Sequence, residues 1–338
     1  MMNKLLNKQN SIIKIDSNID DSILRIELCL SNICNYSCWY CFPGCNEGTH
    51  PWPKYKTFVE NLDHLIDYYK KHKNKKTIYI HIIGGEPTLW REFGDFVKYL
   101  KEQHKCIVSV STNGSRTLRW WEEYGHYVDA VMLSCHYERV DVEHAKAVGD
   151  ILYKKGVNVN ALVLMDPANW DRCIDIVEQL KTSKKRWFIC AMEIYHGSVH
   201  YTEEQKEYLS KSCKRIANPW FYFWNKKTPH ANPTFTFEDG SKAKLNNNWV
   251  SLNGLNNFYG WECNLGVDTF YINKDGLMQG ACGETLYDLN YKFNIYDDNF
   301  ISKFHPEIKP TICKKNALCQ CQPEYNCRKQ RVIPLVQI

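Results

Sequence analysis

Ile23-Leu-Arg-Ile-Glu-Leu-Cys-Leu-Ser31 is a strand-like run, and three residues beyond it stands Cys34-Asn-Tyr-Ser-Cys38-Trp-Tyr-Cys41. Three thiols spaced C-x3-C-x2-C on one short loop can hold three irons of a 4Fe–4S cluster and leave the fourth iron open to a ligand. The same loop can instead close a structural zinc site if Cys45 serves as a fourth thiolate. The two readings make different demands on the rest of the chain, and the residues downstream separate them.

Apolar, β-rich runs alternate with helix-period segments. The strand candidates are Ile23–Leu30, Thr77–Ile83, Ile107–Val110, Ala130–Leu133, Val157–Met165 and Trp187–Ile194. Amphipathic stretches lie between them at Phe58–Lys71, Leu89–Gln103, Thr117–Val128, Val142–Lys155 and Trp170–Thr182, and another follows at Thr202–Ile216, where Thr202 looks like a helix cap. Six strands with helical crossovers predict an α/β fold with a parallel sheet, flat or curled. In such folds ligand groups gather at the C-terminal ends of the strands. The unusual residues fall there: the cysteine loop, Gly84-Gly85-Glu86-Pro87, Ser111-Thr-Asn113-Gly, and Ser134-Cys135-His136. One site assembled from successive loops is the expectation.

With those motifs in place, the chain resembles the radical S-adenosylmethionine (SAM) family. The resemblance implies a partial (β/α)6 TIM-like barrel. It also implies a 4Fe–4S cluster on Cys34, Cys38 and Cys41 whose open iron chelates SAM, and reductive cleavage of SAM to a 5′-deoxyadenosyl radical that abstracts hydrogen from a substrate. It places Gly84, Gly85, Glu86 and Pro87 against the amino group of SAM, and Ser111, Asn113 and Ser134 against its ribose and carboxylate. Tyr40 and Phe42 would pack on the adenine. The two glycines would bare the backbone for that ligand, so Gly85→Val is expected to weaken SAM binding more than folding. Without the family, the same segment reads as a tight turn stiffened by Pro87.

Asn218-Pro219 breaks the alternation, because the residue before proline avoids the helical conformation. An aromatic stretch (Trp220 to Trp224) and a polar loop (Lys226 to Asn248) follow, and a β-hairpin is expected around Lys274-Asp-Gly276. The expected division is 1–217 for the barrel and 218–338 for a smaller domain. Cys263 precedes the hairpin, Cys282 follows it, and Cys313, Cys319, Cys321 and Cys327 come later. This resembles the SPASM and twitch auxiliary-cluster domains of radical SAM enzymes and implies a second 4Fe–4S cluster. Its candidate ligands are Cys263, Cys282 and two of Cys313, Cys319 and Cys321, and zinc on four thiolates is the alternative. Such a cluster would pass electrons or ligate substrate.

Of the sixteen cysteines in 338 residues, Cys29, Cys45, Cys106, Cys135, Cys173, Cys190 and Cys213 read mostly as small core hydrophobes. Cys135, beside Ser134, is the candidate hydrogen donor to a substrate radical, although alternation argues against both pointing inward. His136 shares the Ser134 face and reads as a polar ligand, a proton donor or a satisfied structural histidine. Glu193 receives no role.

The net charge of +5 is mild and spread, which gives little support to a nucleic-acid platform, and the run Lys71 to Lys76 reads as a solvated turn between a helix and a strand. No signal peptide or membrane-length apolar run is visible, so a cytoplasmic protein whose clustered thiols bind metal is expected. No room for a leader-peptide-binding domain is seen before Ile23. The family implies a peptide or small-molecule (sugar or nucleotide) substrate and an external one-electron reductant such as flavodoxin or ferredoxin. A non-enzymatic iron–sulfur or zinc adaptor is the competing class, and SAM binding would separate the two.

Overall fold

The computed structural model describes residues 12–16, 20–41, 44–183, 187–194, 199–213, 233–244, 255–279, 293–314, 316, 319 and 328–332. Phe42, Cys282, Cys321, Cys327 and the aromatic stretch at 220–224 lie outside them. The chain divides into two packing units: residues 27–55 with 78–219, and residues 1–26 with 56–77 and 220–338.

The unit of residues 27–55 and 78–219 is the α/β one, and the strands appear where expected. After β2 (Ile23–Cys29) come β3 (Thr77–Ile83), β4 (Ile107–Thr112), β5 (Ala130–Cys135), β6 (Asn158–Met165) and β7 (Phe188–Glu193), each beside its predecessor in the sheet. The pairs from β3 to β7 are parallel. Parallel neighbours joined in order by helices make a partial (β/α) barrel. The crossover helices bury one stripe each. In Phe93–Glu102 it is Phe93, Phe96, Val97 and Leu100; in Trp170–Lys181 it is Cys173, Ile176, Val177 and Leu180. Their starts are chemically marked. Asp141 accepts the His144 N–H (3.0 Å) ahead of Val142–Lys154, and Thr202 and Gln205 cap one another ahead of Glu203–Cys213.

Strand register sorts the side chains into two faces. Ile82, Val110, Thr112, Val131, Leu133, Cys135, Ala161 and Val163 share one, and each is almost wholly buried, as a helix-covered face requires. His81, Ser109, Ser111, Met132, Ser134, Asn160 and Leu162 share the other, which is more polar and more open toward the strand ends. That polar face belongs to the barrel interior.

The other unit corrects the expected polar loop at Lys226 to Asn248. Thr234–Phe237 (β8) and Lys242–Lys244 (β9) form a hairpin there, with Phe235 and Phe237 buried and alternating with threonines. β1 (Ile12–Asp16) pairs with β8, in a sheet of order β13-β10-β14-β1-β8-β9 whose other strands are β10 (Trp261–Cys263), β13 (Thr311–Ile312) and β14 (Lys329–Arg331). Ile12, Ile15, Phe235, Phe237, Leu255, Phe258 and Trp261 form its core. The expected hairpin at Gly276 is present as β11 (Thr269–Ile272) and β12 (Met278–Gln279). The helix Tyr55–Lys73 packs within this unit: Asn61 donates to the carbonyls of Ile295 and Asp297, and Tyr69 to that of Gly266. A buried ion pair holds the same unit, with Lys75 Nζ 2.7 Å from Asp268 Oδ1 and Arg328 Nε 3.1 Å from Oδ2. Among the described residues no helix is long and apolar enough to cross a membrane.

Candidate functional site

The cysteine loop leaves the end of β2 and is stitched down by asparagines. Asn32, fully buried, donates to Gly44 O and Thr49 Oγ1 (both 2.9 Å) and accepts from His50 N (2.8 Å). Ser31 Oγ donates to His50 O, and Asn46 donates to the Cys38 carbonyl (3.2 Å). These bonds fold residues 44–50 back onto the loop. Within it the Tyr36 N–H points at Cys34 Sγ (3.3 Å), a contact that favours sulfur carrying negative charge.

The turn after β3 is fastened to this loop. Gly84 (φ +93°) and Gly85 (φ +50°) both occupy the left-handed region. A Cβ on Gly84 would meet Cys29 Sγ and Ser31 O, and one on Gly85 would sit on the Ile33 carbonyl. Glu86 N donates to that same carbonyl (2.8 Å). The close approach that the two glycines permit is therefore to the chain's own backbone. This corrects the expectation for Gly85→Val, which would disturb the local fold directly.

Glu86 also takes a different part from the one the resemblance implied. Its Oε1 accepts from Thr88 N (3.1 Å), Thr88 Oγ1 (2.6 Å) and Thr112 Oγ1 (2.7 Å), and its Oε2 from Asn113 N (2.6 Å). It caps the short 3-10 turn that Pro87 begins and ties the β3 and β4 loops together. At 1% exposure the carboxylate has no face open to a ligand. Burial pushes its pKa up, and the four hydrogen bonds work in the opposite direction.

Asn113 extends the tie. Its Nδ2 donates to Asn35 Oδ1 (2.8 Å), and Asn35 Nδ2 donates to Ser115 Oγ (3.0 Å), so the residue following Cys34 is held by the β4 loop. Ser111 is half-buried on the interior face, with its hydroxyl 3.1 Å from His81 Nε2. Ser134 lies on the same face, also half-buried. Cys135 does not. Alternation puts it with Leu133 on the helix-covered face, where its thiol donates to the Leu133 carbonyl and burial pushes its pKa up to about 12. That placement removes it as a hydrogen donor from the Ser134 face.

Tyr40 is buried, and protein rings surround it. His136 stacks at 5.7 Å and Tyr137 at 6.3 Å, while Trp39 meets it edge-on at 5.3 Å. Its hydroxyl lies 3.1 Å from His136 Nδ1. Burial lowers the His136 pKa to about 4, so the imidazole is neutral. Tyr36 completes the group edge-on to His136, and Cys38, Tyr40, Ile194, Cys41, Leu164 and Val199 pack in the same cluster. Trp39 stands 53% exposed.

Cys34 and Cys41 are half-buried and Cys38 is buried. Burial pushes the Cys34 thiol up, helped by the Glu86 charge, and the Cys38 thiol up to about 11, helped by Glu138 and Cys34. Thiols at Cys34 and Cys38 that resist becoming anions by themselves would give up their protons on binding a metal group. Among the described residues no three His, Cys, Asp or Glu side chains are gathered closely enough for a single metal ion. A donor set of three thiols, with an N–H already aimed at one sulfur, has the chemistry of a cluster held from one side.

In the other unit Cys263 ends β10. Cys313 follows β13, with its N–H donating to the Trp261 carbonyl (2.9 Å). Cys319 exchanges bonds with Asn256. Cys313 and Cys319 pack against the same apolar core, and Cys263 against Leu265. The sequence reading missed Asn32, Asn35 and His81. The first two flank cysteine-loop positions as ordinary turn residues, and His81 is a lone polar residue in an apolar strand.

Residues 28–180 match the model of the Radical SAM superfamily. The chain is 31% identical over 106 residues to a GTP 3′,8-cyclase of Haemophilus ducreyi, a stretch covering 30% of this chain and 29% of the relative. It is 28% identical over 134 residues to the S-adenosylmethionine-dependent nucleotide dehydratase RSAD2 of Siniperca chuatsi, covering 36% and 35% respectively. The chain thus spans about a third of the length of the curated relatives it matches. Among solved structures, anSMEcpe with bound AdoMet superposes with a TM-score of 0.50 at 18% identity, covering 84% of this chain and 81% of that one. That likeness is one of fold.

Proposed function

We propose that the chain, whose residues 28–180 match the model of the Radical SAM superfamily, is a radical SAM enzyme. It binds SAM at a 4Fe–4S cluster on Cys34, Cys38 and Cys41 and uses it to take hydrogen from a peptide or small-molecule substrate. The observation that carries this reading is the fastening of the cysteine loop to the β3 and β4 loops. The bonds are Glu86 N to Ile33 O, Asn113 N to Glu86 Oε2, and Asn113 Nδ2 to Asn35 Oδ1. A loop that only closed a zinc knot would need no such attachment to the strand ends. A 4Fe–4S cluster held by Cys34, Cys38 and Cys41 would supply the one-electron chemistry for reductive cleavage of SAM.

The protein's own residues supply position and shelter. The Tyr36 N–H steadies the Cys34 sulfur, and the Tyr36, Tyr40, His136 and Tyr137 rings keep water from the inner side of the loop. Ser111 and Ser134, on the open interior face, are the side chains best placed to meet SAM. Asn113 is committed to Asn35, so its support for SAM runs through the cysteine loop.

Residues 218–338 are proposed as the auxiliary-cluster domain, packed in one unit with 1–26 and 56–77, and the rest of 1–217 as the barrel domain. Cys263, Cys282, Cys313, Cys319 and Cys321 are the candidate ligands of the second cluster. An external flavodoxin or ferredoxin would feed electrons. The test is anaerobic reconstitution followed by counting iron, sulfide and zinc, then assaying 5′-deoxyadenosine after reduction with SAM. About eight irons per chain and 5′-deoxyadenosine support both clusters; about four with one zinc support the catalytic cluster and make the second site structural. Zinc without iron overturns the reading.

A further inference from the structure

Below the strand ends runs a buried polar line that neither the cysteine loop nor the glycine turn requires. His81 sits in β3 at 1% exposure, beside Ser109 in the register of the β3–β4 pair. An imidazole in a strand otherwise made of Thr, Ile and Tyr costs free energy unless its nitrogens find partners. Both do. Nδ1 lies 3.1 Å from Ser109 Oγ, and Nε2 lies 3.1 Å from Ser111 Oγ. Burial holds the His81 pKa well below the ordinary value, so the ring is neutral and carries one N–H and one lone pair. One serine must therefore donate to the ring while the other accepts from it.

The surroundings of the two hydroxyls decide which. Ser109 is 2% exposed, and the imidazole is its hydroxyl's partner among the described residues. A buried O–H left without an acceptor costs about 1–3 kcal/mol, and an unfilled oxygen lone pair is better tolerated. Ser109 accordingly donates to Nδ1. The ring hydrogen then resides on Nε2 and is donated to Ser111 Oγ. Ser111 is half-buried, at the end of β4 where the site loops meet. With its oxygen accepting from His81, its own hydroxyl hydrogen is free to turn toward a ligand.

We propose that His81 is a positioning residue: as the Nε2–H tautomer fixed by Ser109, it sets the Ser111 hydroxyl to donate a hydrogen bond to an oxygen of bound SAM. This rests on the SAM reading above. Ser111 touches the ligand, and His81 and Ser109 act through it.

Two measurements test it. In the reconstituted full chain, SAM is titrated calorimetrically without substrate into wild type, His81→Phe, Ser111→Ala and the double variant. Each single change is expected to weaken binding by about 3- to 10-fold, the range one neutral hydrogen bond spans. The double variant is expected to bind no worse than Ser111→Ala. Separately, 15N-histidine-labelled protein is expected to show His81 as a neutral Nε2–H tautomer, and Ser109→Ala to shift it toward Nδ1–H. Additive losses, unchanged affinity in a folded His81→Phe protein, or an Nδ1–H tautomer in wild type would overturn the proposal. If His81→Phe does not fold, the wild-type tautomer decides. If wild type binds no SAM, the SAM reading falls and the donor role with it, while an Nε2–H tautomer would show that the hydrogen-bond order itself is right.

Discussion

Glu86→Gln is the substitution that most directly probes how the site is held. The carboxylate accepts four hydrogen bonds, three on Oε1 and one on Oε2. Glutamine can keep its oxygen in the three-donor position, but its NH2 must then face the Asn113 N–H, donor against donor. Losing a bond to a charged acceptor costs about 1.5–3 kcal/mol, and the orphaned N–H about 1–3 kcal/mol. Against this, the variant no longer buries a charge, and burial is what pushes the Glu86 pKa up. The net expectation is a loss of about 2 kcal/mol, or roughly 4–8 °C in melting temperature for a unit of this size. Because Asn113 holds Asn35 beside Cys34, iron retention should fall along with stability. The assay is urea unfolding with iron counted on the same samples. An unchanged midpoint with full iron content would refute the account of Glu86 as the tie between the loops.

Three further outcomes are expected. Gly85→Ala should lower stability by about 2 kcal/mol or more, since φ +50° is strained for any L side chain and the Cβ meets the Ile33 carbonyl; an unaltered denaturation midpoint would count against that contact. Lys75→Met should cost about 2–4 kcal/mol, because it leaves Asp268 buried with Arg328 as its remaining cation and strips a donor from the Asp21 and Ile23 carbonyls; denaturant titration reads the difference. Burial acts to raise the Asp268 pKa, but Lys75, Arg328 and Asn264 overcome it and hold the carboxyl below its ordinary value. A depressed carboxyl stabilises fully above the unfolded pKa of about 4 and loses that contribution as pH falls through the folded one. The stability gap between wild type and Asp268→Asn should therefore be widest near neutral pH and shrink below about pH 4; a gap independent of pH would remove Asp268 as its source.

The barrel strands were legible because parallel strands buried between layers carry near-continuous apolar runs, as Thr77–Ile83 does. The cysteine loop stood out because three thiols at C-x3-C-x2-C spacing directly follow a strand-like run. Glu86 was not, since its partners Thr112 and Asn113 lie a strand and a helix away, and only the folded register brings their donors to its carboxylate. Alternation indicated that Ser134 and Cys135 face opposite ways but not which faces inward; the helices covering Leu133 and Val163 decide that. The pairing of Ile12–Asp16 with Thr234–Phe237 spans more than two hundred residues and has no local signal, although the Thr-Phe-Thr-Phe alternation before Asp239-Gly240 marked a hairpin that the polar flanks concealed.

The central claim is that Cys34, Cys38 and Cys41 hold a cluster with one iron open to SAM. Electron paramagnetic resonance of the reduced, reconstituted chain, recorded with and without SAM, tests it most directly, with the triple Cys34→Ala, Cys38→Ala, Cys41→Ala protein as comparison. The account predicts a reduced-cluster signal in wild type whose g-values shift when SAM is added, and neither the signal nor the shift from that site in the triple variant. A wild-type spectrum indifferent to SAM, or a SAM-induced shift that survives loss of all three thiols, would contradict it.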